Sequence, residues 1–229
     1  MDDPSENRDP IMRAELVAPR TWLLPLRGVN AYALESEQGT ILVDAGNPGD
    51  GPRILAMLQG RGLPPPGLIL LTHADIDHAG GVRSLLRICA PTVRASEFEA
   101  QVLAGRARLR LLRRLGHALV GHIDCSGTLE DSRSVAGLMV VATPGHTAGH
   151  CSFWRKEDGV LFCGDALRVR GTRVQLPLRI FTDDRAEALH SLAHLAKLHP
   201  RLLLPGHGPP LREPSTAMRA ALAPRETIG

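Results

Sequence analysis

A chain of 229 residues, 43% of them apolar, can bury one substantial core, and layered α/β chains of this length commonly stay a single domain over residues 1–229. A formal net charge of +3 gives no strong pull toward nucleic acid or anionic lipid, and 3% aromatic residues make a base-stacking surface a poor expectation. No run approaches the roughly 18 apolar residues that span a bilayer, and the polar opening MDDPSENRDP lacks the apolar stretch of a secretory signal, so a cytoplasmic protein with residues 1–12 as a flexible tail is expected.

After the tail, AYALES and GTILVDAG read as two strands around a tight connection, the second entering a Gly/Pro/Asp loop at residues 46–52. PRILAMLQGRG follows with Ile54, Leu55 and Leu58 at helical spacing, closed by Gly60 and Gly62. GLILLT is a short continuous apolar run, as expected of a strand buried on both faces. At its end comes LTHADIDHAGG, which leads into a helix with Val82, Leu85, Leu86 and Cys89 on one stripe. Residues 96–122 read as a basic helical insertion with Leu111, Leu112, Leu115 and Leu119 on one face and Arg106, Arg110, Arg113 and Arg114 on another. A solvated face is the ordinary reading of such arginines, and a lid over the site, reading substrate charge, is the alternative. LMVVAT is the next strand, CSFWRK and GVLFCGDA form a hairpin through KEDG, DDRAEALHSLAHLAKLH is a final helix, and RLLLPGHGPP is a last buried strand. The scattered cysteines, Cys89, Cys125, Cys151 and Cys163, contain no C-x-x-C pair and are expected to be reduced thiols.

Four polar clusters share one structural address. His73, Asp75, Asp77 and His78 follow ILLT, His146 follows VVATPG, Asp165 follows VLFCG and His207 follows RLLLPG. Each is a metal-capable side chain after a strand, mostly beside a glycine that lets backbone approach closely, and strand ends at one sheet edge converge. The other histidines carry blander expectations. His150 orients its loop, His190 and His194 sit on a polar helix face, and His117 and His122 lie in the basic segment, on a solvated surface more readily than in a substrate pocket.

The segments LVDAG, LTHADIDHAGG, TPGHTAGH, FCGDA and LPGHG, in this order between Ala31 and Pro210, make the chain resemble the metallo-β-lactamase superfamily. The resemblance implies an α/β (α+β) fold, a four-layer αββα sandwich, with a binuclear metal site at one edge of the sheets. It implies that His73, the position of Asp75 and His146 hold a first metal, that Asp77, His78 and His207 hold a second, and that Asp165 bridges. The departure is Asp75, where the family pattern has histidine. An aspartate oxygen lies three bonds from Cα, as does the δ nitrogen of histidine, so Asp75 can ligate without moving the backbone. Carboxylate suits zinc and suits iron(II) or manganese better.

Two divalent ions, zinc by default, make hydroxide available near neutral pH, with Asp77 orienting it and passing a proton to the leaving group and Asp165 bridging. The expected reaction is hydrolysis of a small-molecule ester, thioester or lactone, as in the glyoxalase II and lactonase branches. Two alternatives stay open: an iron-dependent oxidoreductase of the persulfide dioxygenase kind, and, behind it, a phosphodiesterase or nuclease, whose usual extra domain has no room here. The expected partner is a small-molecule substrate, with neither nucleic acid nor membrane, and the oligomeric state is left open.

Overall fold

Parallel strands must be joined by crossovers, and helical crossovers pack on a face of the sheet they connect. The computed structural model describes residues 13–37, 39–107 and 111–223. Its first sheet runs in sequence order through β1 (Glu15–Ala18), β2 (Thr21–Pro25), β3 (Asn30–Ser36), β4 (Gly39–Val43), β5 (Pro66–Leu70), β6 (Thr92–Ser96) and β7 (Gly127–Leu129). Pairing is antiparallel up to β4 and parallel beyond it. The parallel crossovers carry α1 (Gly51–Gln59), then α2 (Ile76–Ala79) with α3 (Val82–Cys89), then α4 (Glu97–Leu103) with α5 (Leu111–Val120).

The second sheet contains β8 (Ser134–Val135), β9 (Leu138–Ala142), β10 (Cys151–Arg155) and β11 (Val160–Gly164). A ribbon of β12 (Arg168–Arg170) and β13 (Arg173–Gln175) and helix α6 (Arg185–Ala196) precede its remaining strands, β14 (Leu202–Pro205) and β15 (Leu211–Arg212). Its spatial order is β15-β14-β11-β10-β9-β8, and α7 (Ser215–Leu222) follows.

Alternation along the strands builds three apolar layers. Ile41 and Val43 of β4 join Phe153, Phe162, Leu202 and Leu204 between the sheets, whereas Leu42 joins Ile54, Leu58 and Leu85 of the helices outside the first sheet. On the far side, Leu161 and Leu203 pack with Leu192, Leu195 and Met218 of α6 and α7. The layers are helix, sheet, sheet, helix, the αββα sandwich expected.

Some expectations change. The helical reading of 96–122 resolves into α4 and α5, interrupted at Ala104–Gly105, where Gly105 takes a positive φ of 68°. Leu119, placed by periodicity on an apolar face, is 66% exposed. Arg110, residues 1–12 and the side chains of Leu111, Leu112 and Leu115 lie outside the described residues. Neither the helix at 185–196 nor the strand at 202–205 is the last of its kind, because β15 and α7 follow. No described helix is long and apolar enough to cross a membrane, and Cys89, Cys125, Cys151 and Cys163 are all free thiols.

Candidate metal centre

Strand direction explains why distant residues meet. In the second sheet β10 runs against both β9 and β11, and β14 runs with β11, so β9, β11 and β14 end at one edge. In the first sheet β4 and β5 run together and end side by side. The residues just past these strands are Asp44, Thr72 and His73, Thr143 to His146, Asp165, and Gly206 with His207.

The seven candidate ligands come together there. Asp75 occupies the N-cap position of α2, where an aspartate ordinarily accepts from the helix's first amides. It makes no capping bond. Instead its Oδ2 lies 3.2 Å from His146 Nε2 and 3.6 Å from His73 Nε2. Two residues on, Asp77 Oδ2 lies 3.3 Å from His207 Nε2. Asp165 stands between the two groups: Oδ1 is 3.3 Å from His78 Nε2, while Oδ2 is 3.3 Å from His207 Nε2 and 3.6 Å from His146 Nε2. Three sets of side chains, His73/Asp75/His146, His73/His78/Asp165 and Asp77/His78/His207, each bring ligand-type atoms within 4.8 Å of one another.

The rings are aimed by what holds their other nitrogens. Thr72 Oγ1 has a single hydrogen, which it donates to Asp44 at 2.9 Å, so it must accept from His73 Nδ1 at 3.0 Å. His78 Nδ1 donates to Asp44 Oδ2 at 2.8 Å, and His207 Nδ1 donates to the Gly28 carbonyl at 2.7 Å. In all three rings the Nε2 lone pair is thereby turned toward the cluster. The buried Nε2 atoms of His73, His78 and His146, and Asp165 Oδ1, make no hydrogen bond within the protein. So many bare polar atoms in one buried spot would be a heavy penalty without a cation, and a divalent ion fits this donor set.

The charges show the same tension. Burial would lower the His207 imidazolium, but Asp165 and Asp77 carry its pKa up to about 10. Burial likewise opposes protonation of His78, yet Asp165, Asp44 and Asp77 raise it well above the usual histidine range. His73, buried and next to other histidines, is pushed well below it. Asp165 is held well below the usual carboxylate range by His78, His207 and His146, against the effect of burial.

Several residues that organise this edge carried no assigned role in the sequence. Asp44 takes a left-handed φ of 59° and accepts from Thr72 N at 2.8 Å as well as from Thr72 Oγ1 and His78. Glu99 of α4 is buried and accepts from Ala74 N at 3.0 Å and Thr147 Oγ1 at 2.6 Å, pinning the chain beside Asp75 and His146. Burial raises its pKa against those bonds. Arg113 reaches across from α5 to Asp75, with 3.4 Å between Nη2 and Oδ2, so it does not lie on a solvated face, whereas Arg106 and Arg114 are exposed. The orienting role expected of His150 fits its geometry: Nε2 accepts from Asp165 N at 3.1 Å and Nδ1 meets Thr143 Oγ1 at 2.8 Å. His190, His194 and His122 are exposed and belong to none of the three candidate ligand sets.

Fold and site together define a class. The metallo-β-lactamase superfamily model matches residues 24–207, and the chain belongs to that superfamily, whose members are mostly metal-dependent hydrolases. Among individual relatives it is 32% identical over 226 residues to protein YobT of Bacillus subtilis (strain 168), covering 93% of this chain and 97% of YobT. It is 31% identical to a hydroxyacylglutathione hydrolase of Shewanella pealeana over 77% of this chain and 62% of that protein, so it spans less than two thirds of that relative. The solved structure of TTHA1623 in a di-iron-bound form superimposes with a TM-score of 0.67 at 30% identity, covering 82% of this chain and 92% of that one.

Proposed function

We propose that this protein is a binuclear metal-dependent hydrolase of small-molecule esters, with thioesters favoured. The observation that carries the metal reading is the set of buried, unbonded Nε2 atoms converging with Asp75, Asp77 and Asp165. His73, Asp75 and His146 would hold one cation, Asp77, His78 and His207 a second, and Asp165 would bridge. Cations there would supply Lewis acidity toward the scissile carbonyl and an activated water. Asp77, partly exposed and kept ionised by His78 and His207 against the effect of burial, would take a proton and pass it to the leaving group. His150 fixes the backbone at Asp165, and Asp44 keeps His73 and His78 turned inward.

Thioesters are favoured because hydroxyacylglutathione hydrolases recur among the relatives. The di-iron form of TTHA1623 and the extra oxygen donor of Asp75 support iron as an occupant beside zinc. Elemental analysis, followed by a panel of esters, thioesters, lactones and phosphodiesters assayed with and without oxygen, tests the reading. Two ions per chain and oxygen-independent thioester cleavage that a strong chelator abolishes are expected. Oxygen uptake coupled to turnover would overturn hydrolysis in favour of iron redox chemistry.

A further inference from the structure

Asp75 adds a full negative charge where a neutral imidazole would add none, and a guanidinium stands against it. Arg113 Nη2 lies 3.4 Å from the same Oδ2 that faces His73 and His146. The Arg113 side chain is only 10% exposed, so solvent screens its charge weakly. Its shortest contacts are elsewhere: Nη2 donates to the carbonyls of His146 at 2.8 Å and Phe181 at 2.6 Å, while Nη1 makes a second ion pair, with Asp183 Oδ2, as long as the one to Asp75. Main-chain oxygens therefore fix the guanidinium, and its charge is in place beside Asp75 without depending on that contact. The fork touches two members of one candidate ligand group, the backbone of His146 and the carboxylate of Asp75.

We propose that Arg113 is a positioning residue matched to Asp75: it fixes the ligating carboxylate and offsets its charge, so that the pair carries the net charge of a neutral imidazole in that place. This rests on the metal-binding reading above. It follows that histidine at position 75, although a good ligand, would leave the Arg113 charge opposed only by the more exposed Asp183 beside divalent cations, and that removing both charges would restore affinity.

Zinc affinity, measured by chelator competition with elemental analysis on the metal-stripped full chain, tests this in wild type, Arg113→Gln, Asp75→His and the double variant. The double variant is expected to hold zinc about tenfold more tightly than Asp75→His alone, whereas Arg113→Gln in the wild-type background weakens binding. Arg113→Lys, which keeps the charge, should retain more of the wild-type affinity than Arg113→Gln. Circular dichroism checks that each variant folds, and Asp75→Asn takes the place of Asp75→His with the same expected sign if the latter does not. An equal effect of Arg113→Gln in both backgrounds would overturn the pairing and leave Arg113 as an anchor for α5. Wild-type protein that binds no zinc, manganese or iron would instead overturn the metal reading itself.

Discussion

Asp44 bears more of the site's geometry than its distance in sequence suggests. One buried carboxylate accepts from Thr72 N, Thr72 Oγ1 and His78 Nδ1, so a single group sets the orientation of two rings, one directly and one through a hydroxyl. Removing such an outer partner costs about 10–100-fold in metal affinity. Asp44→Ala is expected to show a loss of that size by chelator competition, with folded far-UV spectra retained. Unchanged affinity would reduce Asp44 to a strand-end brace. Gly206 makes a complementary case, because a Cβ there would meet Asp165 Oδ1 at 2.5 Å and His78 Cε1 at 2.6 Å. Gly206→Ala should therefore lower metal stoichiometry in elemental analysis, and full loading would show that His78 and Asp165 can move aside. The seven candidate ligands were legible because each is a chemically distinctive residue directly after an apolar run. Asp44 and Glu99 were not, and Arg113 was read only as one arginine of a solvated face or lid, since their partners lie 28 to 34, 25 and 33 residues or more away in sequence and only the folded chain brings them together.

At the scale of elements, the second sheet places His146, Asp165 and His207, and its inner face rests on Phe153 and Phe162. Phe162 packs edge-on against Tyr32, whose hydroxyl donates to the Pro205 carbonyl just ahead of Gly206 and His207. Phe162→Ala should lower unfolding free energy by about 3–5 kcal/mol in urea titration, the usual loss for a buried phenylalanine. A change under about 1 kcal/mol would mean that the sheets close over the gap. β3, β4, β5, β9, β10, β11 and β14 and helices α1, α3 and α6 could be read from their apolar runs and spacing, whereas β2 and β6, five residues each, were not read. β8 and β15 have two residues and β7, β12 and β13 three, too short for any alternation to register. The break between α4 and α5 hid behind a leucine and arginine pattern that continues across Gly105, where the backbone's positive φ decides the matter.

For the whole molecule, the candidate metal centre is coupled to protons. In the absence of metal, Asp165 and Asp77 carry the His207 pKa up to about 10, Asp165, Asp44 and Asp77 raise that of His78, and burial beside other histidines lowers that of His73. A cation needs bare Nε2 atoms, so loading at pH 8 must expel protons, and apparent affinity should climb as pH rises toward about 10. Calorimetric titration in two buffers of different ionisation enthalpy measures that release, and identical heats in both would contradict it. The ligand set is also divided between the sheets. His73, Asp75, Asp77 and His78 follow β5 of the first, and His146, Asp165 and His207 follow strands of the second. Neither half owns a complete set, so a bound cation is a clasp, closed only when the two sheets are in register across their shared core. A single proteolytic nick in the exposed Glu130–Arg133 turn would leave the two sets on separate pieces. Metal should then tighten the hold of one piece on the other, and a chelator should loosen it.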